Sequence, residues 1–375
     1  MYKSYIMSVI GTCALTAFIA VPSVVKGAGK IEIDEDKWIS LGGGLRTSLI
    51  FTEDGAPSDT DYSKEFDVES FRLYLNAEIH EILAFEANTE LDSDDDFSIL
   101  DAIGKFEFDS MLNVWTGRML PPNDRANLDG PYYLATWHFP AVANRTPAIF
   151  AGRDDGVTVW GKTDAEGPTF LYGLGAFEGR SDAVNADDNL FYVGRLEVNL
   201  WDPEPAPWYY KGSTYLGGQD ILAIGLVAQY QQDGTGSVGI PDTATAPATP
   251  TTSGDFKNWS VDFLMEKDLG ATVLTLEGAF YDYDLDDVVD DRGFVQQGEG
   301  ILGQISLLSP NKKLQPHYRF QSFDSDTTGD VKRHDLGVNY YIDGQNAKVY
   351  VGWGLDDPDV GSDENSVTLA VQLQI

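Results

Sequence analysis

Alternation is the feature of this chain that most narrows its fold. In Leu190–Trp201, the residues Leu190, Tyr192, Leu196, Val198 and Leu200 fall on one face and Arg195, Glu197 and Asn199 on the other. In Phe71–His80, Phe71, Leu73, Leu75, Ala77 and Ile79 oppose Arg72, Tyr74, Asn76, Glu78 and His80. At the C-terminus, Val367, Leu369, Val371, Leu373 and Ile375 oppose Thr368, Ala370, Gln372 and Gln374. Successive side chains of a strand point to opposite sides, so each segment has one apolar and one polar face. A dry core cannot accept charge at this frequency, because each unpaired buried charge costs several kcal/mol. A water-filled lumen can, with lipid against the other face.

Sixteen such segments run from Trp38–Thr52 to Ser366–Ile375, and no convincing amphipathic helix interrupts them. An even number is what a closed antiparallel bacterial barrel requires, and closure removes exposed strand edges. Joint lengths alternate as well. His80-Glu81, Asp109-Ser110, Asp268-Leu269, Pro310-Asn311 and Asp343-Gly344 are tight, whereas Glu53–Glu65, Met119–Pro147, Gly179–Asn189 and Asp233–Lys257 are long. Short turns on one rim and long loops on the other are an outer-membrane pattern. The expected fold is therefore all-β, a transmembrane antiparallel barrel of about sixteen strands. Trp201-Asp-Pro-Glu-Pro-Ala-Pro-Trp208 is an exception, a long Pro-rich joint on the short-turn side. Trp115, Trp160, Trp259, Phe280, Tyr340 and Trp353 lie near strand ends, where interfacial girdles form; ordinary strand preference for aromatics fits them equally.

Residues 1–27 read as a secretory signal, with Lys3 ahead of an apolar run and Val25-Lys26-Gly27 before Ala28. Residues 28–375 are then one barrel domain. Cys13, the single cysteine, falls inside the signal, which leaves the mature chain without disulfides or thiol ligands. No later stretch approaches the roughly 18 consecutive apolar residues of a membrane helix. The formal charge is −35, from 60 acids and 25 bases. Such a chain repels nucleic acid. The expected setting is the outer membrane of a Gram-negative bacterium, with lipid and lipopolysaccharide as surroundings.

Gly117-Arg-Met-Leu-Pro-Pro-Asn-Asp-Arg-Ala-Asn-Leu-Asp-Gly-Pro-Tyr-Tyr133 breaks the rhythm in the third long loop. Long ordered loops are usually functional. Loop 119–147 is expected to fold into the lumen as a constriction. Arg118, Asp124, Arg125, Asp129 and Arg145 are its candidate charges. Two readings stand: an electrostatic filter for permeating solutes, or ion pairs that hold the loop's shape and pin it to the wall. The candidate pore lining is Arg46, Arg72, Glu78, Lys105, Glu107, Arg195, Glu197, Arg319 and Arg333.

Ser70–Leu91, Asp101–Tyr133, Gly152–Gly161, Val193–Pro205 and Gln219–Gln231 resemble segments of the phosphate-selective porin O and P family. The resemblance implies a sixteen-stranded trimeric porin whose third outer loop narrows the pore. It also implies phosphate selectivity, which in the family rests on a dense basic lining. The lining here mixes Arg and Lys with Glu and Asp, which favours passive diffusion of small hydrophilic solutes and ions; an anion or phosphate pore is the alternative. Enzyme signatures are absent: in His80-Glu81-Ile-Leu-Ala84, alanine stands where a zinc protease has its second histidine. No cofactor or metal is expected. The acidic loop clusters Asp92–Asp96 and Asp282–Asp291 read as solvated charge, with weak divalent bridging to lipopolysaccharide phosphates as the sharper alternative.

Overall fold

The computed structural model describes residues 29–34, 37–58, 60–93, 96–143, 152–163, 167–205, 209–239, 250–293, 296–327 and 329–375. Its strands are β1 (Gly29–Asp34), β2 (Lys37–Thr52), β3 (Glu65–His80), β4 (Leu83–Asp92), β5 (Phe97–Glu107), β6 (Asn113–Met119), β7 (Asp154–Lys162), β8 (Thr169–Phe177) and β9 (Phe191–Asn199). They continue as β10 (Ile221–Val238), β11 (Pro250–Asp268), β12 (Val273–Asp284), β13 (Gly298–Leu308), β14 (Leu314–Ser325), β15 (Val331–Asp343), β16 (Ala347–Pro358) and β17 (Glu364–Gln374). From β2 onward each strand pairs antiparallel with the next, and β17 pairs with β2 from Gln374↔Gly44 to Ser366↔Thr52. The ring closes with sixteen strands, one for each alternating segment in the sequence.

Strand β1 has no counterpart in the sequence reading. It pairs with the first residues of β2, from Gly29↔Leu41 to Asp34↔Lys37, on the ladder edge that β17 leaves at Gly44. It thereby covers an edge that would otherwise stay unpaired. The signal at 1–27 and Arg145 lie outside the described residues. Strand β7 runs over Asp154–Lys162; the start expected from alternation, at Ala148, lies outside the described residues.

Faces follow the sequence pattern. On β9, Tyr192 and Leu196 are exposed on the outer wall, while Arg195 and Glu197 are buried inside. Thr368, Ala370, Gln372 and Gln374 of β17 are likewise buried, and Leu373 is exposed. The apolar core lies inside the barrel. Inward side chains Trp115, Phe177, Phe191, Val227, Phe256, Tyr281 and Leu302 pack with Leu120, Leu128 and Val142 of the inserted loop. Trp115 and Trp160 therefore do not join an interfacial girdle. They stand edge to face inside, with ring centroids 5.5 Å apart. Trp259 and Tyr340 are exposed on the outer wall, as a girdle requires.

Gly117 has φ +119°, and a Cβ there would overlap the Ala102 carbonyl oxygen on β5. Gly117→Ala is therefore expected to distort the β5–β6 ladder just where the inserted loop departs. The check is heat-modifiable migration on SDS gels, with the variant converting to its unfolded form at a lower temperature than wild type.

Candidate functional site

The segment after Met119 turns inward at Pro121-Pro122, two residues that cannot donate to a ladder. It forms the short helix α1 (Arg125–Leu128), capped by the Asp124 side chain accepting from the Asn127 amide, and a 3-10 turn at Pro131–Tyr133. Almost every residue from Met119 to Tyr132 is buried. Donors on the wall then hold its carbonyls in sequence. Gln372 donates to the Tyr132 oxygen at 2.9 Å, Lys348 Nζ to Leu134 at 2.7 Å, and Asn339 to Ala135 at 2.6 Å. Arg46 donates to the Trp137 oxygen and lies over its ring, 4.0 Å from the centroid. Arg319 Nη1 donates to the His138 oxygen at 2.8 Å and to Thr136 Oγ1 at 2.9 Å. Each strand supplies one long polar side chain, so the loop hangs from β2 and from β14 to β17 together.

A second insert enters from the opposite rim. The Pro-rich joint between β9 and β10 turns back into the barrel, and Glu204, Tyr209, Lys211, Ser213 and Thr214 are buried. Tyr209 and Tyr210 both donate hydroxyls to Asp101 of β5, which also accepts from Arg153 Nε at 3.2 Å and Asn88 at 2.9 Å. Glu266 of β11 receives Thr214 Oγ1 at 2.8 Å and the Tyr215 and Gly217 amides at 2.9 and 2.7 Å. The two inserts meet inside the lumen. The Lys211 amide donates to the Leu128 oxygen and the Gly130 amide to the Lys211 oxygen, both at 3.0 Å.

Ion pairs weld this junction. Arg125 forks onto Glu204 with N–O distances of 2.9 and 2.5 Å, and Lys211 reaches Glu204 and Glu197, each at 2.9 Å. Arg195 spans Glu197 at 2.6 Å and Asp262 at 2.5 Å, while its Nη1 also donates to the Asn123 oxygen. Burial alone would raise the Glu204 carboxyl, but Arg125 and Lys211 outweigh it and hold the group well below the carboxylate range. Asp124 goes the other way: burial dominates and lifts it to about 6.

The structure brings most of the sequence-predicted charges together. Arg46, Arg72, Glu78, Lys105, Glu107, Arg195, Glu197, Arg319 and Arg333 all face inward. Arg72 pairs with Glu90 at 2.8 Å, Lys105 with Glu86 at 2.6 Å and Arg319 with Asp335 at 2.9 Å. Arg333 divides between Asp335 and Asp356, and Glu78 accepts from the Trp38 indole at 2.6 Å. Asp124, Arg125 and Asp129 sit at the junction. Arg118 does not. It alternates with inward Trp115 and Met119, shares a face with exposed Thr116, and makes a two-pronged pair with Asp155 on the outer wall at 2.8 and 2.9 Å. Sequence reasoning missed Asp101, Trp137, Glu204, Tyr209, Tyr210 and Lys211. For Glu204, Tyr209, Tyr210 and Lys211 the available signal was the long joint on the short-turn rim; Asp101 lies on β5 and Trp137 in the third long loop.

Among the described residues no helix is long and apolar enough to cross a membrane, and no group of three or more His, Cys, Asp or Glu side chains could hold a metal ion. No protein-family model matches the chain, and no curated protein matches it in sequence. Solved barrels match it in shape. A loop-deletion variant of OmpT, an outer membrane protein of Vibrio cholerae, superposes with a TM-score of 0.60 at 16% identity, over 91% of this chain and 100% of that one. The anion-selective porin from Comamonas acidovorans gives 0.61 at 14% identity, over 90% and 100%. Salmonella typhi OmpF gives 0.58 at 11% identity, over 92% and 100%. The likeness establishes a closed antiparallel barrel of the porin type; it does not single out the phosphate-selective O and P family. A barrel of this build, with an apolar outer wall, belongs in the outer membrane of a Gram-negative bacterium.

Proposed function

We propose that the protein is an outer-membrane porin through which small hydrophilic solutes and ions diffuse passively, with a weak preference for cations. The observation that supports it is the state of the lumenal charges. The inward bases Arg72, Lys105, Arg125, Arg153, Arg195, Lys211, Arg319 and Arg333 are each bonded to a carboxylate within 3.4 Å. Anions passing such a wall meet neutralised guanidinium groups rather than a basic ladder. Among the described residues, inward acids only partly buried include Glu69, Glu78, Glu107 and Asp356, against Lys105 and Arg333 among the bases. Excess negative charge on a narrow aqueous path raises the local cation concentration. Catalysis is no part of this reading.

A homotrimer is included in the proposal. It is supported by the sequence resemblance and by a structural neighbour, Vibrio cholerae OmpT, described in a trimer form. The anion or phosphate alternative draws on Arg46 and Lys348, which bond loop carbonyls; Glu69 stands 4.0 Å from Arg46. Planar-bilayer recording in a KCl gradient separates the readings. The expected reversal potential has the sign of cation preference and is unchanged by added phosphate. Anion preference with phosphate block would replace this reading by the alternative, and absence of conductance would end both.

A further inference from the structure

Charge does not balance where the two inserts meet. Arg125, Arg195 and Lys211 are matched by Glu197, Glu204 and Asp262 at N–O distances between 2.5 and 2.9 Å. Three further carboxylates share the enclosure. Asp124 accepts from neutral donors, the Asn127 amide and side chain and the Tyr281 hydroxyl. Glu277 on β12 accepts from the Gln304 side chain at 3.3 Å; Arg125 and Arg319 face it, but their guanidinium groups bond Glu204 and Asp335. Asp129, at the C-cap of α1, is 2% exposed, and neither of its carboxylate oxygens has a hydrogen-bond partner.

The charged groups facing Asp129 are Glu277 on the wall, Arg125 on α1, and Glu204 and Lys211 on the second insert. Arg125 turns both terminal nitrogens to Glu204, and Lys211 divides between Glu197 and Glu204. Neither bonds Asp129. Burial, followed by the charge of Glu277, pushes the Asp129 carboxyl well above the carboxylate range. A carboxylate desolvated to this degree costs several kcal/mol in its charged form unless a proton or another positive charge joins it.

We propose that Asp129 and Glu277 form a binding site for a monovalent inorganic cation, placed where the two inserts touch. Tight divalent sites collect six to eight oxygens around Ca²⁺, and no group of three or more candidate ligands stands among the described residues. A monovalent ion carries half the charge, is held more weakly by the same carboxylate oxygens and exchanges faster, which suits a path that must release what it binds. The proposal deepens the cation-preferring reading above and rests on it for the ion's route through the lumen.

The test begins with detergent-solubilised protein and does not need conduction. Thermal unfolding is followed in KCl and in choline chloride of equal ionic strength, at neutral and mildly acidic pH. KCl is expected to raise the wild-type midpoint at neutral pH relative to choline, since an ion bound to the folded state alone stabilises it by mass action. In Asp129→Asn/Glu277→Gln that difference should vanish. Should the double variant fail to fold, Asp129→Asn alone should lose most of it. An equal KCl effect in wild type and variant would overturn the site. So would a wild type indifferent to KCl but stabilised by acid, because a proton alone would then neutralise the pair. In bilayers, wild-type current should saturate with rising KCl and the variant's should stay closer to linear. An absent current would count against the porin reading and leave the thermal result standing.

Discussion

Replacing residues 121–151 with a short Gly-Ser bridge is expected to leave the barrel closed and to raise single-channel conductance several-fold. Met119 and Asp154 are partners in the β6–β7 ladder, so a short bridge can span them. The ring pairs strand to strand without help from the loop. What the excision removes is the segment whose carbonyls fill the space between β2 and β14 to β17. Arg46, Arg319, Asn339, Lys348 and Gln372 would lose protein acceptors and take water instead, at little cost in an aqueous lumen. Lys348 would then face the path without the Leu134 carbonyl and Arg46 with Glu69 as its one nearby carboxylate, so the reversal potential should move toward anions. Conductance and reversal potential in bilayers, with circular dichroism to verify the sheet, check the expectation. Unchanged conductance would mean that the loop does not narrow the path.

Arg125→Ala should have the largest effect of any single substitution at the junction. It leaves Glu204 buried with Lys211 as its one remaining cation, and it removes the fork that joins the two inserts. Removing one partner of a buried ion pair costs on the order of 3–5 kcal/mol. That loss falls on the inserts rather than on the ladder, so the barrel should still show heat-modifiable migration. The second insert should loosen, and Lys211, fully buried in the wild type, should become a trypsin site. Cleavage after Lys211 in the variant and not in the wild type is the readout. Arg118→Ala is the contrast. Its pair with Asp155 is more than a third exposed, and exposed pairs contribute about 0–1 kcal/mol. It should alter neither proteolysis nor conductance.

How far the sequence carried depends on which force wrote each feature. Lipid outside and water inside impose a strict period of two, and segments such as Leu190–Trp201 carry it openly. That is why strand number, face assignment and the place of the inserted loop were all readable. Arg118 failed by the same rule: counting a strand to its last residue shows that it faces away from Trp115, whereas reading it as part of the loop hides this. Trp115 and Trp160 were ambiguous because an aromatic at a strand end serves a girdle and an internal core equally well. The second insert was legible only as an anomaly. Proline-rich joints say that the chain leaves the ladder but not where it goes, and its destination is set by distant partners, Asp101, Glu197 and Glu266. Asp124, Arg125 and Asp129 were legible as the loop's charges, but what they meet was not: Arg125 pairs with Glu204 on the second insert, Asp124 accepts from Tyr281 on β12, and the Asp129 carboxylate has no hydrogen-bond partner, none of which any local pattern announces.

The bonds across the lumen have a consequence for how the ring is joined. A slip of β17 by two residues against β2 would preserve every inward and outward side chain, so alternation cannot forbid it. It would, however, carry Gln372 away from the Tyr132 carbonyl while Arg46, on the other side of the seam, stayed on Trp137. Residues 132 to 138 thus act as a ruler laid across the closing seam: they measure the final pairing from within and reject the registers that the faces alone would accept.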